Sequence, residues 1–364
     1  MPAARGHTTA PASGPVNRPG RTPGQRQRAG HWVSRWLGPA WPRYAAGKLA
    51  GAAVSLVAVV FTGFFLFRLL PGDPVATMTY HHAVTPPETA ALRHQLGLDR
   101  PVPAQFGSYV LRVIRGNLGD SFEYSKPVSS LILSHLAATV YLAGTATVLS
   151  AALGVWIGAR SAWRSGSVAD RVSTGAALAL WSVPTFWLGL TLLIVFGAGV
   201  GPVPGIFPTG GISTPGVTGF FPVLLDGLRH LVLPCLTFTA VIYAQYVLLM
   251  RACLLDERDS GYVTTARAKG LRDALVLRRH AMPNALLPVV TLIFLNLGQV
   301  VASDVLVETV FSWPGLGTMF YEALEYPDFP LLEGLFIFFS ACVIVMNLIA
   351  DLLYPILDPR VRTA

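Results

Sequence analysis

The chain has 364 residues, 52% of them hydrophobic and only 13% charged, with a mean hydropathy of +0.53. A soluble domain carries roughly a quarter charged residues, so these values exclude a large soluble core in favour of a chain that crosses a bilayer several times. The net charge of +8 is what basic loops held on one side of a membrane produce, and nucleic-acid binding is not needed to explain it.

Residues 1–44 are rich in Pro, Gly, Arg and Ser with almost nothing to bury, which predicts a disordered basic arm. A long polar stretch precedes the first apolar run, so no cleavable secretory signal is expected. Apolar runs follow at 49–70, 136–159, 172–197, 231–253, 285–307 and 331–354, each long enough to span as a helix. Pro184 and Pro234 lie inside two of them and are expected as tolerable kinks. The segment between the first two runs, within 45–135, alternates short amphipathic pieces with Gly/Pro breaks and predicts a small folded cap or short helices lying on the outer face. The expected fold class is therefore an all-α membrane protein of six transmembrane helices, with a core over 136–358 and a short tail at 359–364.

Basic residues fix the expected orientation. The arm, the loop after the second run, the 254–283 loop with Arg251, and the tail together hold twenty Lys and Arg, against six in the alternate segments. This places both termini and the 254–283 loop in the cytoplasm. The cysteines Cys235, Cys253 and Cys342 show no paired spacing and read as small buried hydrophobes. His81, His82 and His94 lack carboxylates at ligand spacing and read as loop residues. Asp351, near the inner end of the last run, reads as a structural acid, either paired with a basic neighbour or making a capping contact. Asp304 reads either as an acid facing a substrate path or as one reaching the membrane interface.

The 254–283 loop is the most distinctive polar segment. Between 267 and 280 it packs Arg267, Lys269, Arg272, Arg278, Arg279 and His280 into fourteen positions. Tyr262 to Lys269 reads as one short helix, with Val263, Ala266 and Gly270 keeping one face small. Gly270 is placed to end it in a left-handed conformation. Arg272 to Ala281 reads as a second helix, with Pro283 permitting a break before the next span. Two readings stay open at this level: a helix shaped to enter a groove on a soluble partner, or a basic loop that obeys the orientation rule. No ATP site is evident: Gly47-Lys48 lacks a glycine five positions upstream and a following Ser or Thr. HExxH and GxSxG motifs are also absent.

YVTTARAKGL followed by RRHAMPNALLPVVT resembles the coupling loop of ABC importer permeases of the peptide/nickel branch. RLLPGDPV, LGLDRPVPAQF, GNLGDS, VPTFWLGL, LVLPCLTF, VETVFSWPGLG and NLIADLLYPILDPRVR fall in the family's order, so the resemblance covers residues 44–362. It implies a type I importer permease fold with a small extracytoplasmic segment after the first helix. It also implies a bacterial cell-membrane location and a coupling helix that docks on a separate ATP-binding subunit. Thr264, Thr265 and Ala266 take the positions of the motif's Glu-Ala-Ala, with Thr264 replacing the acid. Gly270 is its glycine, and Met282 and Pro283 stand where its Leu-Pro would be.

By the same resemblance Arg267, Ala268, Lys269 and Leu271 belong to the coupling surface, with Arg267 and Lys269 set to pair with acidic groups. Pro184, Trp187, Asp304 and Trp313 are candidate path residues. Expected partners are a second, related permease, two ATP-binding subunits, an extracytoplasmic binding protein and the lipid bilayer. No cofactor is expected on this chain, ATP and magnesium being used by the partners. The expected function is import of di- or oligopeptides, without enzymatic activity in the chain itself. Nickel or glutathione cargo is the alternative within the family, and an ion-coupled carrier the alternative outside it.

Overall fold

In an apolar solvent a backbone must satisfy its own hydrogen bonds, and helices do so within one segment. The computed structural model describes residues 41–69, 75–76, 79, 84–95, 97–303 and 305–357, and they are almost entirely helical. They fall into two units, Met1–Tyr44, of which only the first turn of a helix is described, and Ala45–Ala364. In chain order the helices are α1 (Trp41–Leu69), α2 (Pro86–Gln95), α3 (Val102–Ile114), α4 (Val128–Trp163), α5 (Val168–Trp181), α6 (Thr185–Leu192), α7 (Phe220–Arg258), α8 (Gly261–Ala268) and α9 (Asp273–Val276). Then come α10 (Met282–Ser303), α11 (Val305–Val310), α12 (Leu316–Glu325) and α13 (Phe329–Leu357). A two-residue hairpin of β1 (Gly199–Val200) and β2 (Val203–Pro204) is the only sheet among the described residues.

Five helices among the described residues are long and apolar enough to cross a membrane, or six if one bent pair counts as a single span. That pair corrects the sequence reading. The expected continuous span at 172–197 is broken between α5 and α6, which meet at a bend of 97°. Pro184 supplies no N–H and pushes Val183 out of the helical region. Ser182 closes α5 with its hydroxyl on the Leu178 carbonyl at 2.9 Å, and Pro184 opens α6 with ψ 129°. Pro234, by contrast, stays inside α7, buried among neighbouring helices that hold its axis.

A second correction concerns Pro283. The expected break is missing: α9 runs through a widened turn at Leu277–Ala281 directly into α10. A proline ring clashes with the carbonyl four residues back. The extra residue in a π-type turn gives room for it. The run expected at 285–307 accordingly begins further back, and helix is described from Met282 to Ser303 and again from Val305 to Val310.

Close packing of α4 on α7 forms the centre. A Cβ at Gly158 would stand 2.6 Å from the Val247 carbonyl oxygen, and one at Gly154 2.9 Å from that of Tyr243, so glycine is required at both. Small residues bring membrane helices together in this way. The helix α10 packs on α4, α7 and α13. The short α3 lies over Phe64 and Ile337 through its buried Tyr109, which realises the short helices expected between the first two spans. Cys235 is buried and Cys253 and Cys342 are partly so.

Candidate functional site

At one end of the bundle α7 stops at Arg258, and Ser260 turns the chain with extended geometry into α8. The helix spans 261–268, within a residue of the sequence expectation at each end. Gly270 follows at φ +79°, the left-handed conformation expected of it, and its N–H donates to the Arg267 carbonyl at 2.9 Å. Asp273 then starts α9.

The two faces of α8 differ. Val263 is fully buried and Ala266 is 5% exposed, both packed with Met250, Leu254, Val276, Ala281 and Ala285. Thr264, Thr265, Arg267, Ala268, Lys269 and Gly270 are exposed. The small face expected to dock on a partner therefore faces this chain's own core at Ala266. Residues three apart share a helix face, and the pair 263/266 is the one that seats α8 on the bundle. Leu271 is half-buried against the same cluster. The outward surface is instead the 264/265/268 face, with Lys269, Arg272, Arg278 and Arg279 exposed beside it and making no ion pair among the described residues.

Arg267, expected to face a partner, is engaged within the chain. Its Nε donates to Asp273 Oδ1 at 3.2 Å, and its guanidinium carbon lies 5.1 Å from the centroid of Trp163 at the end of α4. Further ties at this end are not foreseen from sequence. Arg251 donates to both carboxylate oxygens of the buried Asp170, at 2.7 and 2.9 Å, joining α7 to the first turn of α5. Arg258 donates to the Ser165 hydroxyl at 2.8 Å and to the Ala162 carbonyl at 3.3 Å. Tyr262 donates to Glu257 and accepts from Asn284 Nδ2 at 2.8 Å. Asp351 pairs with Lys48 at 3.0 Å, as its sequence context suggests.

At the opposite end of the bundle the VETVFSWPGLG stretch folds over Glu308, which is fully buried. One carboxylate oxygen accepts from Thr139 Oγ1 at 2.7 Å, and the other from the Gly317 and Thr318 amides at 2.7 and 3.1 Å. A Cβ at Gly315 or Gly317 would overlap this carboxylate, which explains both glycines. Trp313, expected near the lipid headgroups, is fully buried, with Nε1 donating to the Ala138 carbonyl at 2.9 Å and its ring stacked on Tyr141. Asp328 holds the neighbouring loop, accepting from Ser121 Oγ at 2.6 Å and from the Glu123 amide at 3.1 Å. Arg68 pairs with Glu333 at 2.7 Å beneath α3.

Of the expected path residues, Pro184 marks the α5/α6 break, Trp187 is 55% exposed and Trp313 is fully buried. Asp304, His81 and His82 lie outside the described residues. No group of three His, Cys, Asp or Glu among the described residues could hold a metal ion.

Comparison with known proteins matches two successive patterns. Residues 42–143 match the N-terminal membrane component of binding-protein-dependent transport systems, and residues 151–363 match the inner membrane component of those systems. The chain is 33% identical over 325 residues to the dipeptide transport system permease protein of Escherichia coli K12, covering 85% of this chain and 95% of that one. It is 34% identical over 331 residues to the di/tripeptide transport system permease protein of Pseudomonas aeruginosa, covering 88% and 98%. It is 33% identical over 320 residues to the glutathione transport system permease protein of Pectobacterium atrosepticum, covering 88% and 98%. With more than half its length matched by one pattern and a helical bundle of five or six candidate spans, this chain belongs to the family of inner membrane components of binding-protein-dependent transport systems.

Proposed function

We propose that the chain is the permease subunit of an ATP-driven importer for short peptides, with six spans, both termini in the cytoplasm and the 261–283 hairpin facing the cell interior. The observation that carries this reading is the outward face of α8. Thr264, Thr265 and Ala268 form a small surface flanked by Lys269, Arg272, Arg278 and Arg279, on a helix whose other side is buried in the bundle. A rigid, small-faced helix with basic shoulders fits a groove on an acidic partner, and its close join to α4, α7 and α10 carries movement into the spans. In this reading the partners are two ATP-binding subunits that use ATP and magnesium, a second related permease, and a binding protein that delivers substrate outside. The chain itself binds no nucleotide and performs no covalent chemistry. It gates a path between two states whose balance the partners set.

Short peptides are the substrate class because the relatives at 33–34% identity are named for dipeptide, di/tripeptide and glutathione transport. The α5/α6 break is the one feature shared with ion-coupled carriers, which build sites on discontinuous helices. Uptake of a labelled dipeptide after ATP depletion, with ion gradients held, separates the two. Uptake that stops with ATP supports the importer; uptake that persists with the gradient overturns it.

A further inference from the structure

The Tyr262 hydroxyl joins three elements at one oxygen. It donates to Glu257 in the last turn of α7 and accepts from Asn284 Nδ2 in the first turn of α10, so its donor and one acceptor site are both used. Burial and the Glu257 carboxylate push the phenol's pKa up, which keeps its proton in place at neutral pH. The other contacts that seat α8 are of weaker kinds, among them the Arg267 guanidinium 5.1 Å from the centroid of the Trp163 ring at the end of α4. Val263 and Ala266 are held by apolar packing, which is non-directional and does not fix an angle. Arg267 and Asp273 form an exposed pair, worth at most about 1 kcal/mol. Without Tyr262, α8 is a short helix between two non-helical joints, Ser260 and Gly270, about which it can rock.

We propose that Tyr262 is a positioning residue whose hydroxyl locks α8 to the adjoining ends of α7 and α10, so that a push on α8 moves both helices together instead of being absorbed at the joints. The inference rests on the reading that α8 receives force from an ATP-hydrolysing partner, but the lock itself is a property of this chain. It also gives Glu257 and Asn284 a defined task that their positions at helix ends do not by themselves suggest.

Tyr262→Phe removes only the oxygen. Two measurements follow: amide hydrogen exchange across α8 in the full-length permease in lipid nanodiscs, and dipeptide uptake per ATP hydrolysed by the reconstituted transporter. The expected result is exchange at 264–270 faster by at least tenfold, and uptake per ATP lower by at least tenfold with hydrolysis within twofold of the parent. Glu257→Leu should do the same, and the double variant should be no worse than either single one. Unchanged exchange overturns the lock. Faster exchange with unchanged uptake per ATP, or uptake and hydrolysis falling in equal proportion, overturns its role in transmission. If parental uptake does not depend on ATP, the importer reading fails, and the exchange measurement still decides whether the lock exists.

Discussion

Replacing Glu308 by alanine should remove most of the folded protein. The substitution strips the acceptor from the Gly317 and Thr318 amides and the Thr139 hydroxyl, all in a region closed to water. A buried donor left without a partner costs about 1–3 kcal/mol. Three such losses together approach the roughly 5–15 kcal/mol that holds an ordinary domain together. Glu308→Gln keeps the length and one oxygen, and should lose part of this. Thr139→Ala removes two hydrogen bonds, its own to Glu308 and the one it accepts from the buried Leu316 amide, and should cost about 1–3 kcal/mol, less than Glu308→Ala. Thermal unfolding of detergent-solubilised protein, read by the loss of the monodisperse peak, checks the order. A Glu308→Ala variant as heat-resistant as the parent would contradict this account of the VETVFSWPGLG stretch.

Ala268→Trp should abolish transport while leaving the permease folded. Ala268 is exposed on the outward face of α8, and a large side chain there meets nothing in this chain. On a partner's groove, overpacking costs about 1–3 kcal/mol. At about 1.4 kcal/mol per factor of ten, uptake should fall by roughly 10- to 100-fold at normal membrane levels. Ala266→Trp should behave differently: at 5% exposure it forces α8 off its own core, so protein level falls together with uptake. Lys269→Ala should have a small effect, since an exposed ion pair contributes at most about 1 kcal/mol. Immunoblots of membrane protein alongside uptake distinguish the three. Equal losses of protein in the Ala268→Trp and Ala266→Trp variants would contradict the assignment of faces.

Local signals carry well from sequence to structure. The extent of α8 and the left-handed Gly270 depend on neighbours close in the chain. Sequence reading fails where the deciding contact is distant. Pro184 and Pro234 both sit in apolar runs, and nothing near them says that Pro184 breaks its helix while Pro234 does not. The difference is that Pro234 is buried among other helices, whereas Ser182 caps the turn ahead of Pro184.

Arg251 and Arg258 read in sequence as loop charges that set orientation, yet they bind Asp170 and Ser165, 81 and 93 residues away. Arg267 reads as a partner contact and instead reaches Trp163. Glu308 is not singled out by the sequence. Its local mark is the pair of glycines seven and nine positions on, where an added Cβ would meet the carboxylate. The small face of α8 has the period expected of it and a different partner, because periodicity identifies a stripe without saying which surface covers it.

The central claim is that an ATP-hydrolysing subunit engages this chain through α8. A short thiol-reactive crosslinker placed on the Ala268→Cys variant in intact membranes tests it most directly. The account predicts capture of an ATPase subunit, in a yield that changes when ATP hydrolysis is blocked by vanadate. Labelling of that thiol from the external face, or capture without any ATP-hydrolysing protein among the products, would contradict it.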